Sequence, residues 1–388
     1  MAGREYHLGM QPSRTRAPSR PAPAASPDPG DAADALALDP RRVAVAHRLD
    51  PRIPATVPGF DRPFFQAGLA GYSDSAMRRV ARALGSPFCV TEAILDRALV
   101  EPGWKLDPAE LFAADASDLP LAVQLIGSQP AEMAGAAVRV VELARACLGD
   151  QATGRLVIDV NLACPVRKVA RKRRGGHWLA APSGAIELLR AVREALPPDL
   201  PCTVKLRRGS DDSPAAEVDF LRVFEGAYAL GYAWATVHAR SVEQAYRGPS
   251  QWRFLRRLVQ AYPDRLIFGS GDIWTAEDIF RMLGWTGVAG VSVARGSIGN
   301  PWIFRQAAQL MAGEAPRKPD SREQRRVLTQ HLDLALGLKG ERAGSRHMRK
   351  IAGGYASLHP EGDRVRAAMF RAQSRSDWQA ILERWYPG

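Results

Sequence analysis

From Pro63 onward, short apolar runs alternate with longer amphipathic stretches. The runs cover 64–69, 87–91, 121–126, 156–161, 202–206, 235–238, 266–269 and 290–294, the length of buried strands. Between them, 73–84, 130–147, 183–196, 217–230, 252–261 and 275–283 read as helices, each long enough to cross back over a parallel sheet. Eight such units predict an α/β fold, a (β/α)8 TIM barrel, with a doubly wound open sheet as the alternative if the shortest runs are not strands. After Pro301 the pattern turns helical, over 321–338, 342–357 and 364–384, and predicts a separate helical domain. The expected organisation is a tail at 1–58, a barrel at 59–308 and a helical domain at 309–388.

The tail is rich in Pro, Ala, Arg and Asp, lacks periodicity and is expected to be disordered; it contains no apolar core of the kind a secretory signal needs. No run approaches the roughly 18 apolar residues of a membrane span. A net charge of +12 over 388 residues favours an acidic partner such as nucleic acid, although Arg-rich usage alone gives the same number. Cys89, Cys147, Cys164 and Cys202 show no CxxC pairing, so neither a zinc site nor an iron–sulfur cluster is indicated, and reduced thiols of a cytoplasmic protein are expected.

In a barrel the chemistry sits at the carboxyl ends of the strands. There the sequence puts Gln124, Asn161, Lys205, His238 and the turn Ser270-Gly271-Asp272. The fourth run ends in Asp159-Val160-Asn161-Leu162-Ala163-Cys164-Pro165, an amide and a thiol three residues apart. Arg167, Lys168, Arg171, Lys172, Arg173 and Arg174 follow, a surface for a polyanion beside a proton-carrying group. The last two strands lead into glycine-rich turns, Ser270-Gly271-Asp272 and Ala294-Arg295-Gly296, the usual place for a phosphate in this fold. Lys205 reads as a cation beside an anionic cofactor or as a salt-bridge partner of Asp159 or Glu92. His238 reads as a site residue or as a core imidazole.

Phe65 to Asp74, Gln124-Leu-Ile-Gly127, Asp159 to Pro165, Val204 to Asp212, His238-Ala-Arg240 with Tyr246-Arg-Gly248, Gly271-Asp272 and Arg295-Gly296 with Asn300-Pro-Trp302 stand in one order. This set resembles the tRNA-dihydrouridine synthases, over 63–304 and weakly at His347-Met-Arg-Lys350. The resemblance implies an FMN-containing barrel with a helical tRNA-binding domain, NADPH as reductant and tRNA as substrate. It implies Cys164 as general acid, Asn161 on the uracil edge, and Arg240 and Tyr246 on the substrate nucleotide. It likewise implies Ala67, Gly68, Leu69, Gln124, Lys205 and His238 around the flavin ring, with Ser270, Gly271, Asp272, Ala294 and Arg295 along its ribityl phosphate. The basic run and cations of the helical domain, Arg349 and Lys350 among them, are expected on tRNA phosphates. Gly68, Ala163, Ser270 and Ala294 stand where the family has Pro, Gly, Asn and Gly, and Ala294 needs a negative φ. Two other readings are a flavin barrel acting on a free pyrimidine, which has no use for a basic helical tail, and a flavin-free RNA-binding homologue.

Overall fold

The computed structural model describes residues 35, 37–101, 107–113 and 115–387. Nine parallel strands form one sheet: β1 Phe64–Gln66, β2 Cys89–Val90, β3 Ile94–Leu95, β4 Leu121–Ile126, β5 Leu156–Leu162, β6 Cys202–Arg207, β7 Trp234–His238, β8 Ile267–Ser270 and β9 Gly290–Val293. β1 pairs with β9, Phe64 opposite Val291, so the sheet closes. β2 and β3 both pair with β4, Cys89 opposite Leu121 and Ile94 opposite Leu125, so the two short strands share one position in an eight-position barrel. The (β/α)8 expectation holds, and the open sheet is excluded by closure.

The strand sequences alternate. Val123, Leu125, Ile158, Val160, Val204 and Leu206 join the core formed with the surrounding helices. Residues one step away face inward, where Phe65, Phe88, Val90, Ala122, Val157, Trp234 and Phe268 fill the amino-terminal end of the barrel. Phe60 stacks on Phe88 at 4.7 Å, and with Ile53 and Val57 it completes this floor from below.

That floor corrects the tail. Residues 1–34 lie outside the described residues, but Pro40–Ala46 and Arg52–Thr56 are helices that bury Ala44 and Ile53. Val43 packs over Gly284 of the helix Ala276–Thr286. The segment is ordered by tertiary burial of a few apolar residues, too sparse to show as periodicity. At the other end, the expected helix 364–384 is two, Gly362–Met369 and Arg375–Trp385, broken where Ser374 and Asp377 form a capping box. The boundary at 308/309 falls inside the helix Trp302–Met311, whose Ile303, Phe304, Ala307 and Leu310 belong to the barrel core.

The helices Ser321–Lys339 and Glu341–Ala356 share a second core with Ala76, Met77 and Val80 from the barrel helix Ser75–Ala83 and with Leu84 at its C-terminal cap. At this seam Asp74 caps the barrel helix through Met77 N–H (3.0 Å) and meets Lys339 Nζ at 3.1 Å and His347 Nε2 at 3.2 Å. Burial opposes its charge, but His347, Lys339 and the Met77 N–H prevail and hold the carboxyl far below its ordinary range.

Candidate active site

β5 and β6 run in register, Asn161 opposite Lys205 and Asp159 opposite Thr203. Their inward residues therefore stand in layers, with Asp159 and Thr203 below Asn161 and Lys205. Asp159 accepts from Thr203 Oγ1 (2.6 Å) and Gln124 Nε2 (2.7 Å). Gln124 Oε1 accepts from Asn161 Nδ2 (2.7 Å), and Asn161 Oδ1 accepts the N–H groups of Ala163 and Cys164, both at 3.0 Å. Asn161 thus shapes the turn that carries Cys164, which leaves one amide N–H for any ligand. Arg207 Nε donates to Ala163 O (3.0 Å) and pins the same turn from β6.

The Cys164 thiol is partly accessible, and burial raises its pKa against the opposing pull of the Val166 N–H and Arg207. It is a protonated thiol at neutral pH, suited to giving up a proton rather than to nucleophilic attack. Lys205 is brought down to about 7 by burial and by Arg207, with Asp159 opposing. No ion pair joins it to Asp159, whose carboxylate oxygens are taken by Thr203 and Gln124. His238 is held well below its ordinary value by burial and by Lys205, Arg207, Arg240 and Arg295. Its Nδ1 accepts from Arg240 N–H (3.2 Å), so the neutral ring carries its proton on Nε2.

Two neighbouring cavities, sharing Ser292, bring most of the expected cofactor residues together. Gly68, Gln124 and Lys205 line the first with Asp159, Thr203 and Thr236. His238, Ser270, Gly271, Asp272, Ala294 and Arg295 line the second with Ile273 and Trp274. Ala67 and Leu69 lie at the adjoining β1 turn, their N–H groups donating to Val293 O and Ser73 Oγ. Gly271 has φ +116°, and a Cβ there would lie 2.2 Å from Ser250 Oγ, so only glycine fits. Ala294 takes φ −102°, the negative value that an alanine there requires.

Arg240 and Arg174 are not where the sequence reading put them. Arg240 is buried, its guanidinium on Asp272 (2.6 and 2.7 Å) and Gly248 O (2.6 Å). Arg174 is buried beside Asp96 at 3.9 Å, while Arg167, Lys168, Arg171, Lys172 and Arg173 are exposed. Arg349 and Lys350 are half-buried on the helix Glu341–Ala356. Tyr246 is 58% exposed, with the Arg207 and Arg295 guanidinium carbons 5.5 and 5.4 Å from its ring centre. Asp159, Thr203, Arg207 and Ser250 were missed as site residues. The period of two that aims Lys205 inward aims Thr203 and Arg207 inward too, a signal present in the strand.

The cradle fits a flavin phosphate. Arg240 Nη1 and Ser250 Oγ are buried beside the Gly271–Asp272 turn without a hydrogen-bond partner among the described residues, and Arg240 and Arg295 share the single Asp272 carboxylate (2.6 and 3.4 Å), which leaves a net positive charge for an anion.

Fold and mouth together define a parallel-barrel enzyme whose chemistry lies at the carboxyl rim. Residues 65–385 match the family described as Dihydrouridine synthase (Dus), and the chain belongs to that family. It is 32% identical to a "Probable tRNA-dihydrouridine synthase" of Treponema pallidum over 82% of this chain and 91% of that protein. It is 31% identical to "tRNA-dihydrouridine synthase B" of Pseudomonas aeruginosa over the same shares. Among solved structures, histamine dehydrogenase from Rhizobium sp. 4-9 superposes with a TM-score of 0.50 at 13% identity, over 89% of this chain and 64% of that one, a likeness of fold.

Proposed function

We propose that this protein reduces the C5–C6 double bond of particular uridines in tRNA, with FMN as its flavin and NADPH as reductant. The observation that carries the reading is Cys164, a protonated thiol on a turn built by Asn161 at the rim of a cationic barrel mouth. When bound, the flavin supplies hydride to C6 of the uracil. Cys164 gives the Sγ proton to C5, and Arg207 beside the turn favours the thiolate left behind. The remaining Asn161 N–H meets the uracil edge. Gln124, Lys205, His238 through Nε2–H and the backbone of Ala67, Gly68 and Leu69 surround the isoalloxazine. Lys205 and the neighbouring arginines favour negative charge on that ring.

Ser270, Gly271, Asp272, Ala294 and Arg295 hold the ribityl phosphate, with Arg240 acting through Asp272. The uridine must leave its neighbours to reach the mouth, and the exposed Tyr246 ring offers a face on which a splayed nucleotide stacks. Arg167, Lys168, Arg171, Lys172, Arg173, Arg349 and Lys350 meet tRNA phosphates, so binding weakens as salt rises. The protein works where tRNA is processed, in the cytoplasm. Mass-mapping of dihydrouridine in tRNA from cells lacking the gene tests the reading. A uridine mass at one position, restored to dihydrouridine by the intact gene but not by Cys164→Ala, is expected. An unchanged dihydrouridine content would overturn it.

A further inference from the structure

Five hydrogen bonds run from Thr203 to the Ala163–Cys164 turn through Asp159, Gln124 and Asn161. An amide side chain can be turned end for end with little change in shape, so Gln124 and Asn161 each have two near-equivalent orientations. Two fixed ends remove that freedom: the Ala163 and Cys164 N–H groups, which only donate, and Asp159, which when ionised only accepts at both oxygens. Its Oδ2 accepts from Gln124 Nε2, which turns Gln124 Oε1 toward Asn161 Nδ2, and this turns Asn161 Oδ1 toward the N–H groups of Ala163 and Cys164. Reversing either amide would set donor against donor or oxygen against oxygen at 2.7 Å.

We propose that Asp159 is a positioning residue: a buried carboxylate that orients Gln124, the barrel end of the Gln124–Asn161 amide relay, and so steadies the turn presenting the Cys164 thiol. Its 5% exposure and its Thr203 contact, 2.6 Å away, hold the carboxyl in place; burial raises its pKa, while the hydrogen bonds from Thr203 and Gln124 and the Lys205 charge on the facing strand oppose that and favour the ionised form. The catalytic consequence rests on the reading of Cys164 as general acid. The positioning itself does not, and is measured without RNA.

The test is a reciprocal exchange in the flavin-loaded protein, read as the rate of Cys164 alkylation by iodoacetamide with peptide mass mapping. Gln124→Glu sets a second carboxylate against Asp159 and should change the Cys164 rate about tenfold, the scale of one charge-assisted hydrogen bond. Adding Asp159→Asn reverses the bond between the two positions and keeps the sense of the rest: the amide introduced on β5 donates to the carboxylate introduced on β4, whose other oxygen accepts from Asn161 Nδ2. The double variant should return to within about threefold of wild type, a coupling that independent sites do not show. If Gln124→Glu does not fold, a double variant that folds and shows the wild-type rate is the same rescue. Additive effects, an unfolded double variant, or an unaltered rate in Gln124→Glu would each overturn the proposal. Dihydrouridine formation is scored separately, so a wild-type protein that makes none, yet shows the rescue, would sink the functional reading and leave the relay standing.

Discussion

Gly296→Ala probes the phosphate cradle at its tightest point. A Cβ at Gly296 would lie 2.3 Å from the Ile273 carbonyl oxygen and 3.0 Å from Trp274 Cα, both backbone atoms that no rotamer change can move. Real Cβ contacts begin near 3.0 Å, so the two turns must part by at least 3.0 − 2.3 = 0.7 Å. They are the two walls of the cavity that holds His238, Ser270 and Arg295, and Arg295 lies over the Trp274 ring at 4.7 Å. Overpacking of this kind costs about 1–3 kcal/mol. Where the strain is relieved by opening the cradle, flavin must close it again, and affinity falls about 5- to 150-fold. The assay is titration of flavin-stripped protein with FMN, followed by flavin fluorescence. Gly337→Ala is the control: it sits on an exposed helical face with nothing within 4 Å of the new Cβ, and should gain about 1 kcal/mol of stability with FMN affinity unchanged. Wild-type FMN affinity in Gly296→Ala would refute the cradle.

Cys164→Ala should retain flavin absorbance and tRNA binding while uridine reduction falls about 10²- to 10⁴-fold, and single-turnover product formation at the wild-type rate would remove the thiol from the mechanism. His331, hydrogen-bonded to Tyr355 Oη at 2.9 Å, is pushed down to about 4 by burial and by His347, with Asp74 opposing. The unfolded chain takes up a proton there that the fold refuses. Stability is therefore full above about pH 6.5 and falls toward pH 4 by up to about 3 kcal/mol, and urea melts at pH 7 and pH 5 with equal midpoints would contradict this. Asp74→Asn keeps the Met77 cap but strands Lys339 and His347 at the seam, at a cost of about 3 kcal/mol. Faster proteolysis in the 313–320 connection is the expected sign, and an unchanged digestion pattern and melting curve would show the seam to be held by apolar packing alone.

The barrel was legible because parallel strands buried on both faces write themselves as apolar runs, and crossover helices must follow each one. The residues lining the mouth were legible for the same reason: a polar residue ending such a run has only the mouth to face. Residues 40–57 were not, since Ala44, Ile53 and Val57 are buried by what lies far away in sequence. Arg174 and Arg240 failed likewise. Each belongs to a motif that looks exposed, and each is drawn inward by an acid, Asp96 or Asp272, that only folding brings near. The break before Arg375 was readable, since Ser374-x-x-Asp377 is a helix-start signature inside what looked like one continuous helix.

Ile53, Val57 and Phe60, with the ring cluster above them, leave the barrel a cup with no drain. Whatever enters must leave by the same rim. On the proposed function, a nicotinamide donor and a folded RNA would have to take turns at one doorway, each gone before the other arrives. Double-reciprocal rate plots at several fixed donor concentrations should therefore run parallel, and lines that converge would mean that both visitors stand at the rim together.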